Sequence, residues 1–252
     1  MIEVQDLAKS FQDKKRGTVH ALDGVTFDVK DGEIFGLLGP NGAGKTTALR
    51  LLATILKPTS GTARIGGADI TREPERVRQQ IGFLSGDMGS YARLTPREVL
   101  TFFGKLNGLV GARLKDRIQE LIRTLDFGSF ADTKIDKLST GMRQKVAIAR
   151  TVVHDPPVLI FDEPTAGLDV PTARLIETFI SNSKDKGKCI LFSTHVMEEA
   201  EYLCDRIGVV DQGKLKALGT MEDLRRITGK QRLREVFLKV LDIPETMAGA
   251  TV

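Results

Sequence analysis

The strongest constraint on how this chain can fold is a glycine-rich loop between an apolar strand and a helix. The strand is predicted at Ile34–Leu38, and the helix from about Lys45 to Leu56, where Lys57 and Pro58 stop it. The loop fits the pattern G-x-x-x-x-G-K-[ST]. Its residues are Gly39, Pro40, Asn41, Gly42, Ala43, Gly44, Lys45 and Thr46, followed by Thr47.

A loop of this kind binds phosphate groups. Its glycines let the backbone fold back so that successive N–H groups point at phosphate oxygens, beside the positive end of the following helix. Lys45 is expected to neutralise the β- and γ-phosphates, and the Thr46 hydroxyl to coordinate Mg²⁺. Thr47 is expected to add a further phosphate contact. The loop therefore predicts a binding site for a nucleoside triphosphate.

A second apolar strand ends in two carboxylates. Residues Val158–Phe161 are followed directly by Asp162 and Glu163. In a parallel sheet these acids lie at the carboxyl edge, where ligands bind and where the phosphate loop also lies. Two acids after a strand are more often a solvated turn or a helix cap. Beside a phosphate loop, Asp162 is expected to hold Mg²⁺, directly or through water, and Glu163 to be the general base for an attacking water.

One segment points to a family. Residues Leu138–Lys145, with the sequence LSTGMRQK, resemble the LSGGQ signature of the nucleotide-binding subunits of ABC transporters. The resemblance extends from Ile2 to about Gly219, and it implies ATP as the nucleotide and Mg²⁺ as its metal. It also implies that Ser139 and Gly141, at a helix amino terminus, form a second anion site that approaches the γ-phosphate held by another subunit.

Further segments match the family in order. Ala166-Gly167-Leu168-Asp169 is similar to its D-loop, which implies that Asp169 belongs to the nucleotide site, and Ser193-Thr194-His195 is similar to its switch-histidine segment. The resemblance implies that His195 contacts the γ-phosphate and keeps the surroundings of the attacking water in place. Phe11 matches the position where the family stacks an aromatic ring on adenine, and a core phenylalanine is the alternative.

The sequence departs from the family pattern in two places. Gly86 stands where the family usually has a glutamine, and a glycine has no side chain that can ligate Mg²⁺. Asp87 is a candidate replacement as the polar link between nucleotide and membrane partner. The signature carries Thr140 and Met142 in place of glycine and glutamine. Both departures resemble the ATPase subunits of sodium-extrusion ABC exporters.

The expected fold is an α/β P-loop NTPase with a mostly parallel sheet core. An antiparallel β subdomain is expected on its amino-terminal side, together with an α-helical insert that carries the signature. Residues 1–219 are expected to form the ATPase domain, with the insert at about 85–154, and residues 220–252 a short tail. Strands are predicted at Ile2–Leu7, Val25–Lys30, Ile34–Leu38, Thr62–Ile65, Ile81–Leu84, Val158–Asp162, Cys189–Ser193 and Ile207–Asp211.

Helices are predicted in the insert and in the tail. Residues Thr95–Glu98 read as a capping box with proline at the first helical position, and the helix is expected to run to about Leu106. A second helix in the insert is predicted from apolar residues at helical spacing: Leu114, Ile118, Leu121, Ile122 and Leu125. A tail helix with Leu233, Val236, Phe237 and Val240 would pack against the core or form a dimer contact.

Composition bears on partners and location. The 37 basic and 33 acidic residues give a net charge of +4, too even a mixture to indicate a nucleic-acid binder. No apolar run approaches the roughly 20 residues of a membrane-spanning helix. The amino terminus MIEVQDL lacks the basic and apolar regions of a secretory signal. We therefore expect a cytoplasmic protein, and the family resemblance implies that it is peripheral on the cytoplasmic face of the cell membrane.

The resemblance also implies partners: a second copy of the chain in an ATP-dependent homodimer, and an integral membrane permease subunit. Export is favoured, because the tail after Gly219 lacks the long extension common in importer ATPases. The alternative function is an ABC ATPase that acts on ribosomes or DNA without a membrane partner. Translation-type members join two cassettes and DNA-repair members carry long coiled-coil or zinc-binding inserts, and neither feature is found here.

Overall fold

The computed structural model describes residues 1–15, 17–85 and 91–244, which form two β-sheets with helices packed on them. The strands are β1 Ile2–Asp13, β2 Gly17–Val29, β3 Ile34–Leu38, β4 Ser60–Ile65, β5 Ala68–Asp69, β6 Ile81–Leu84, β7 Val158–Asp162, β8 Cys189–Thr194, β9 Arg206–Asp211 and β10 Lys214–Gly219. The helices are α1 Lys45–Leu52, α2 Pro74–Gln80, α3 Pro96–Leu106, α4 Gly111–Thr124, α5 Thr140–Val152, α6 Val170–Asp185, α7 Met197–Leu203, α8 Met221–Thr228 and α9 Leu233–Val240.

The larger sheet has the strand order β10-β9-β3-β8-β7-β6. All its neighbouring strands are parallel except β10, which runs antiparallel to β9. Every residue of β3 and of β8 is buried, because helices and the smaller sheet cover the strands on both sides. This burial explains why the central strands read as continuous apolar runs rather than as an alternating pattern. The prediction of a mostly parallel core is confirmed.

The smaller sheet is antiparallel, with the order β2-β1-β4-β5. Its two long strands form a hairpin, and both extend beyond the predicted segments Ile2–Leu7 and Val25–Lys30. The added part of the hairpin includes the pair Phe11 and Val19, and both side chains are exposed. Because this part of the hairpin lies outside the core, its sequence has no apolar alternation from which a strand could be predicted. The predicted antiparallel subdomain is confirmed.

Helix α1 ends earlier than predicted. It stops at Leu52, and the apolar stretch as far as Leu56 is a turn. Thr54 has a left-handed backbone with φ of 59°, which no α-helix contains. The amides of Ile55 and Leu56 both donate to the carbonyl of Arg50, at 2.9 and 3.2 Å. The run therefore lies in a turn that closes the helix, with Ala53 buried, Leu56 half-buried and Ile55 exposed, and Lys57 and Pro58 are not its stop signal.

The amino terminus of α3 has the predicted capping box. The Thr95 hydroxyl accepts from the N–H of Glu98 at 3.3 Å, and the Glu98 carboxylate accepts from the N–H of Thr95 at 2.8 Å. Helices α3, α4 and α5 share one apolar core with the sheet, to which α4 contributes Leu114, Ile118 and Leu121. The signature segment begins α5, so the predicted helical insert that carries it is confirmed.

Replacing Thr95 by alanine should lower the free energy of unfolding by about 1 kcal/mol, because the N–H of Glu98 loses its capping acceptor. Denaturant unfolding of the purified protein measures this difference. Thr95→Ser keeps the hydroxyl and is the matched control, with stability close to that of the parent. Equal stability of the alanine and serine variants would contradict the prediction.

The tail helix packs against the core, which decides between its two predicted positions. Leu233 and Val236 on α9 are completely buried, in a cluster that contains Leu38 of β3, Ala200 of α7 and Ile207 of β9.

The longest described helix, α6, has 16 residues. Within residues 1–15, 17–85 and 91–244, no helix is long and apolar enough to span a membrane.

Candidate functional site

Three adjacent strands bring the predicted site residues to one edge of the larger sheet. Strands β3, β8 and β7 lie side by side and parallel, with Leu38 opposite Thr194 and Asp162 opposite Ser193. The phosphate loop follows β3, His195 follows β8, and Glu163 follows β7. Because parallel strands end at the same edge, the loop, the histidine and the glutamate meet there.

Two glycines of the phosphate loop are required by its surroundings. A side chain at Gly39 would place its Cβ 2.2 Å from the carbonyl oxygen of Val210. At Gly44 the backbone is left-handed, with φ of 109°, and a Cβ would lie 2.4 Å from the carbonyl oxygen of Ala21. The loop is also tied to the β9–β10 turn, because the N–H of Gly213 donates to the carbonyl of Ala43 at 2.9 Å. The backbone can adopt this path only with glycine at these positions.

The Lys45 side chain lies inside the loop and is only 5% exposed. Its ammonium donates to the carbonyl oxygens of Gly39 and Pro40, at 2.7 and 3.2 Å, and lies 3.5 Å from Oε1 of Glu163. Burial lowers the pKa of the Lys45 ammonium, and the nearby Glu163 carboxylate acts in the opposite direction. The loop thus holds a buried ammonium beside Glu163, at the edge of the sheet where β3 and β7 end.

Oxygen atoms around Asp162 form a candidate magnesium site. Its Oδ1 accepts from the Ser193 hydroxyl at 2.7 Å and from the Thr46 hydroxyl at 3.2 Å. Mg²⁺ prefers oxygen ligands and is commonly held by one or two protein groups together with phosphates and waters. No cluster of three or more histidine, cysteine or acidic residues suited to a metal occurs in the described part of the chain. The donor set therefore fits Mg²⁺ bound with a nucleotide better than an ion enclosed by protein alone.

The backbone and carboxylate of Glu163 are both fixed. Its φ of 48° is left-handed, a conformation that costs a non-glycine residue roughly 1–3 kcal/mol and persists where surrounding contacts hold it. Those contacts come from Ser193, whose carbonyl and hydroxyl oxygens accept from the Glu163 N–H at 3.2 and 3.1 Å. The Glu163 Oε2 atom lies 3.1 Å from Nδ1 of His195. The carboxylate is thus held between Lys45 and His195, where it can orient and deprotonate a water.

Two side chains outside the predicted site contact the segment that follows Glu163. The Gln144 amide on α5 donates to the carbonyl of Pro164 at 2.6 Å. The Glu199 carboxylate on α7 accepts from the hydroxyls of Thr165 and Thr194. The sequence gives one signal for Glu199: it lies four residues after His195, so the first turn of α7 can point it back towards the strand end.

The signature segment has its contacts at the turn that begins α6. Ser139 caps α5, with its hydroxyl accepting from the N–H of Met142 at 3.2 Å. A Cβ on Gly141 would lie 3.5 Å from the Asp169 carboxylate, which itself accepts from the N–H of Thr172 at 2.9 Å. This hydrogen bond, followed by the one from the Thr172 hydroxyl, lowers the pKa of Asp169. Gly141 thus lies beside Asp169 of the same chain, and Ser139 caps the same exposed helix amino terminus.

Phe11 lies in the exposed part of the β1–β2 hairpin. Its ring is 39% exposed, and the Lys9 ammonium lies 5.2 Å from the ring centroid. This exposure excludes the alternative of a core phenylalanine. Gly86 and Asp87 lie outside the described residues.

Comparison with known proteins gives the family of this chain. A family model described as ABC transporter matches residues 22–166. The ABC transporter ATP-binding protein NatA of Bacillus subtilis (strain 168) is 40% identical over 242 residues, which are 96% of this chain and 98% of that protein. The daunorubicin/doxorubicin resistance ATP-binding protein DrrA of Streptomyces peucetius is 39% identical over 234 residues, covering 92% of this chain and 69% of DrrA.

Solved structures of ATP-binding subunits and cassettes also match this chain. The structure of an ATP-binding subunit of an ABC transporter superimposes with a TM-score of 0.87 at 32% identity, covering 96% of this chain and 99% of that one. A dimeric post-hydrolysis structure of the ATP-binding cassette MJ0796, bound to ADP and Pi, superimposes with a TM-score of 0.79 at 27% identity. That match covers 87% of this chain and 98% of the cassette.

Proposed function

Because this chain belongs to the ABC transporter family, as an ATP-binding subunit that hydrolyses ATP, we propose that its sheet-edge site cleaves Mg-ATP with Glu163 as the general base. One observation carries the proposal. The Glu163 carboxylate lies between the buried Lys45 ammonium and His195, at the edge that also holds the phosphate loop. A general base must be within hydrogen-bond reach of its water and beside the group under attack, and this position meets both conditions.

The other residues of the site bind and orient the nucleotide. The backbone of Gly39–Thr47 surrounds the phosphates, and Lys45 neutralises their charge. Thr46 and Asp162 would hold Mg²⁺, which when bound neutralises negative charge on the β- and γ-phosphate oxygens. His195 keeps Glu163 and the attacking water in line with the γ-phosphate. The exposed Phe11 ring stacks on the adenine.

We further propose that the active form is a homodimer with two ATP molecules between the subunits. Ser139 and Gly141 of one subunit would face the γ-phosphate bound to the phosphate loop of the other, with Asp169 beside them at the interface. The open amino terminus of α5, where backbone N–H groups and the helix dipole favour anions, supports this arrangement. The dimeric structure of the similar cassette MJ0796 supports it as well.

The proposed working partner is an integral membrane permease, with this chain on the cytoplasmic face of the membrane. The helical segment of about residues 85–154, within an ATPase domain of residues 1–219, is the proposed contact surface. Phe102 and Leu106, one turn apart on α3, and the neighbouring Val110 are each more than half exposed.

The resistance function in the name of DrrA supports export, whether of Na⁺ or of a drug- or lipid-like cargo. The matches favour transport over action on ribosomes or DNA, and no nucleic-acid partner is proposed.

The dimer proposal can be tested at Gly141 by sedimentation with Mg-ATP, in a background where Glu163→Gln slows hydrolysis. Gly141→Asp should prevent the ATP-dependent dimer, because its carboxylate would face the partner's γ-phosphate. ATP binding by the variant's own phosphate loop should be unchanged. Gly141→Ala adds a Cβ without charge, 3.3 Å from Thr172, and is the steric control that should still dimerise. A Gly141→Asp protein that dimerises as well as this control would contradict the proposal.

A further inference from the structure

Two buried threonine hydroxyls near the site share one carboxylate. Thr165 is 5% exposed and Thr194 is 2% exposed, so neither hydroxyl can rely on bulk water for a hydrogen bond. Thr165 donates to Oε1 of Glu199, and Thr194 donates to Oε2 of the same residue at 2.7 Å. The Glu199 carboxylate therefore joins two segments that are far apart in sequence.

Both segments carry a residue of the proposed catalytic pair. Thr165 lies two residues after Glu163, and Thr194 immediately precedes His195. The Thr194 hydroxyl also accepts from the N–H of Val196 at 2.9 Å, so it holds the backbone on both sides of His195. The link through Glu199 thus runs behind the 3.1 Å contact between the Glu163 carboxylate and the His195 ring.

We propose that Glu199 is a positioning residue for ATP hydrolysis, which sets the separation of Glu163 and His195 through the hydroxyls of Thr165 and Thr194. This inference rests on the proposed roles of Glu163 and His195. An ionised carboxylate is suited to the task because it offers two acceptor oxygens and no donor, so that both hydroxyls can donate to it.

Glu199 acts on the reaction only through its neighbours. Its carboxylate contacts Thr165 and Thr194, whereas the proposed phosphate site is the loop after β3. Loss of the carboxylate should therefore leave ATP affinity close to that of the parent. The rate should fall, because a displacement of about 1 Å in a catalytic group can reduce turnover about a hundredfold.

Steady-state ATPase measurements on the purified chain test the proposal. Glu199→Ala should reduce kcat by about tenfold to a hundredfold and change KM for Mg-ATP by less than about threefold. Glu199→Gln should restore most of kcat, because its amide oxygen can accept from one hydroxyl and its NH₂ can donate to the other. Glu198→Ala removes an exposed carboxylate from the preceding position of α7 and should turn over at the parent rate.

A double-mutant comparison separates positioning from general stability. Thr165→Val should lower kcat in the parent but add nothing once Glu199 is alanine, because both changes break the same link. If Glu199→Ala does not fold, Thr165→Val is compared with Thr165→Ser, since both keep the shape of the region: the valine variant should lose kcat and the serine variant should keep it, and equal kcat values would overturn the positioning role.

The possible outcomes distinguish this inference from the proposed function. A kcat of Glu199→Ala within threefold of the parent would overturn the positioning role, and so would equal losses of ATP affinity and kcat. A loss in Thr165→Val that adds fully to that of Glu199→Ala would do the same. If Glu163→Gln hydrolyses ATP at the parent rate, the assigned base is wrong, whatever the Glu199 variants show.

Discussion

Replacing Glu163 by glutamine is expected to stop ATP turnover and to leave ATP binding intact. The amide has nearly the same shape as the carboxylate and remains near Lys45 and His195, but it cannot take a proton from the attacking water. General-base catalysis contributes about a hundredfold to ten-thousandfold, so the rate should fall by at least about a hundredfold. Phosphate release measures the rate, and equilibrium binding of ATP to the same protein measures affinity.

The same variant should also accumulate as an ATP-bound dimer. In the proposed cycle the γ-phosphate is held jointly by two subunits, so a site that keeps its γ-phosphate keeps the interface closed. Sedimentation should show twice the monomer mass with Mg-ATP and the monomer mass with Mg-ADP. Glu198→Gln, at an exposed position on α7, is the matched control and should hydrolyse ATP normally. Parent-rate hydrolysis by Glu163→Gln would refute the assignment of the base.

Several strands of the larger sheet could be predicted from sequence because nearly all their residues are buried. Strands β3, β6 and β7 begin and end at the residues predicted for them, Ile34–Leu38, Ile81–Leu84 and Val158–Asp162. Each is an apolar run bounded by polar residues, glycine or proline. The outer half of the β1–β2 hairpin has no such pattern, because its side chains face solvent and its stability comes from backbone pairing. Apolar periodicity in a sequence arises from burial, so it cannot predict a strand whose side chains are exposed.

The end of α1 illustrates a different limit. The apolar residues Leu51–Leu56 continue the helical pattern, but the chain leaves the helix after Leu52 with a left-handed Thr54. Threonine rarely adopts this conformation, so its residue type gives no warning of the turn. The hydrogen bonds from Ile55 and Leu56 to the carbonyl of Arg50 compensate within the folded structure. The residue at which α1 ends therefore depends on tertiary packing and not on local helix propensity.

Strand order explains why so much of the candidate site could be anticipated. Once parallel strands were expected, the residues after Leu38, Asp162 and Thr194 had to lie at one edge. The hydrogen bonds between side chains could not be predicted in the same way, because they depend on the register of neighbouring strands. Ser193 bonds to Asp162 because the two are paired across β7 and β8. The contact of Glu199 with Thr165 depends on how α7 packs against the neighbouring strands, so the sequence indicated only that Glu199 points back towards the strand end.

Replacing Lys45 by alanine should weaken nucleotide binding itself, in contrast to the change at Glu163. The Lys45 ammonium is the buried cation of the phosphate loop, and charge-assisted hydrogen bonds contribute about 1.5–3 kcal/mol each. ATP affinity should therefore fall by about tenfold to a hundredfold, and hydrolysis at low ATP should fall with it. Isothermal titration with Mg-ATP measures the affinity. The exposed Lys57, at the end of the turn after α1, gives the matched control Lys57→Ala, which should bind as the parent does.

The stability of Lys45→Ala decides whether lost affinity reflects the site or the fold. Removing Lys45 ends the desolvation of its own buried charge, and the partly exposed Glu163 keeps His195 as a neighbour. The ligand-free variant should therefore unfold within about 1 kcal/mol of the parent, whereas the stabilisation that Mg-ATP gives the parent should be largely lost. Unchanged ATP affinity would count against the phosphate loop as the nucleotide site. Lost affinity in a folded protein would assign the nucleotide's phosphates to the edge where β3, β8 and β7 end.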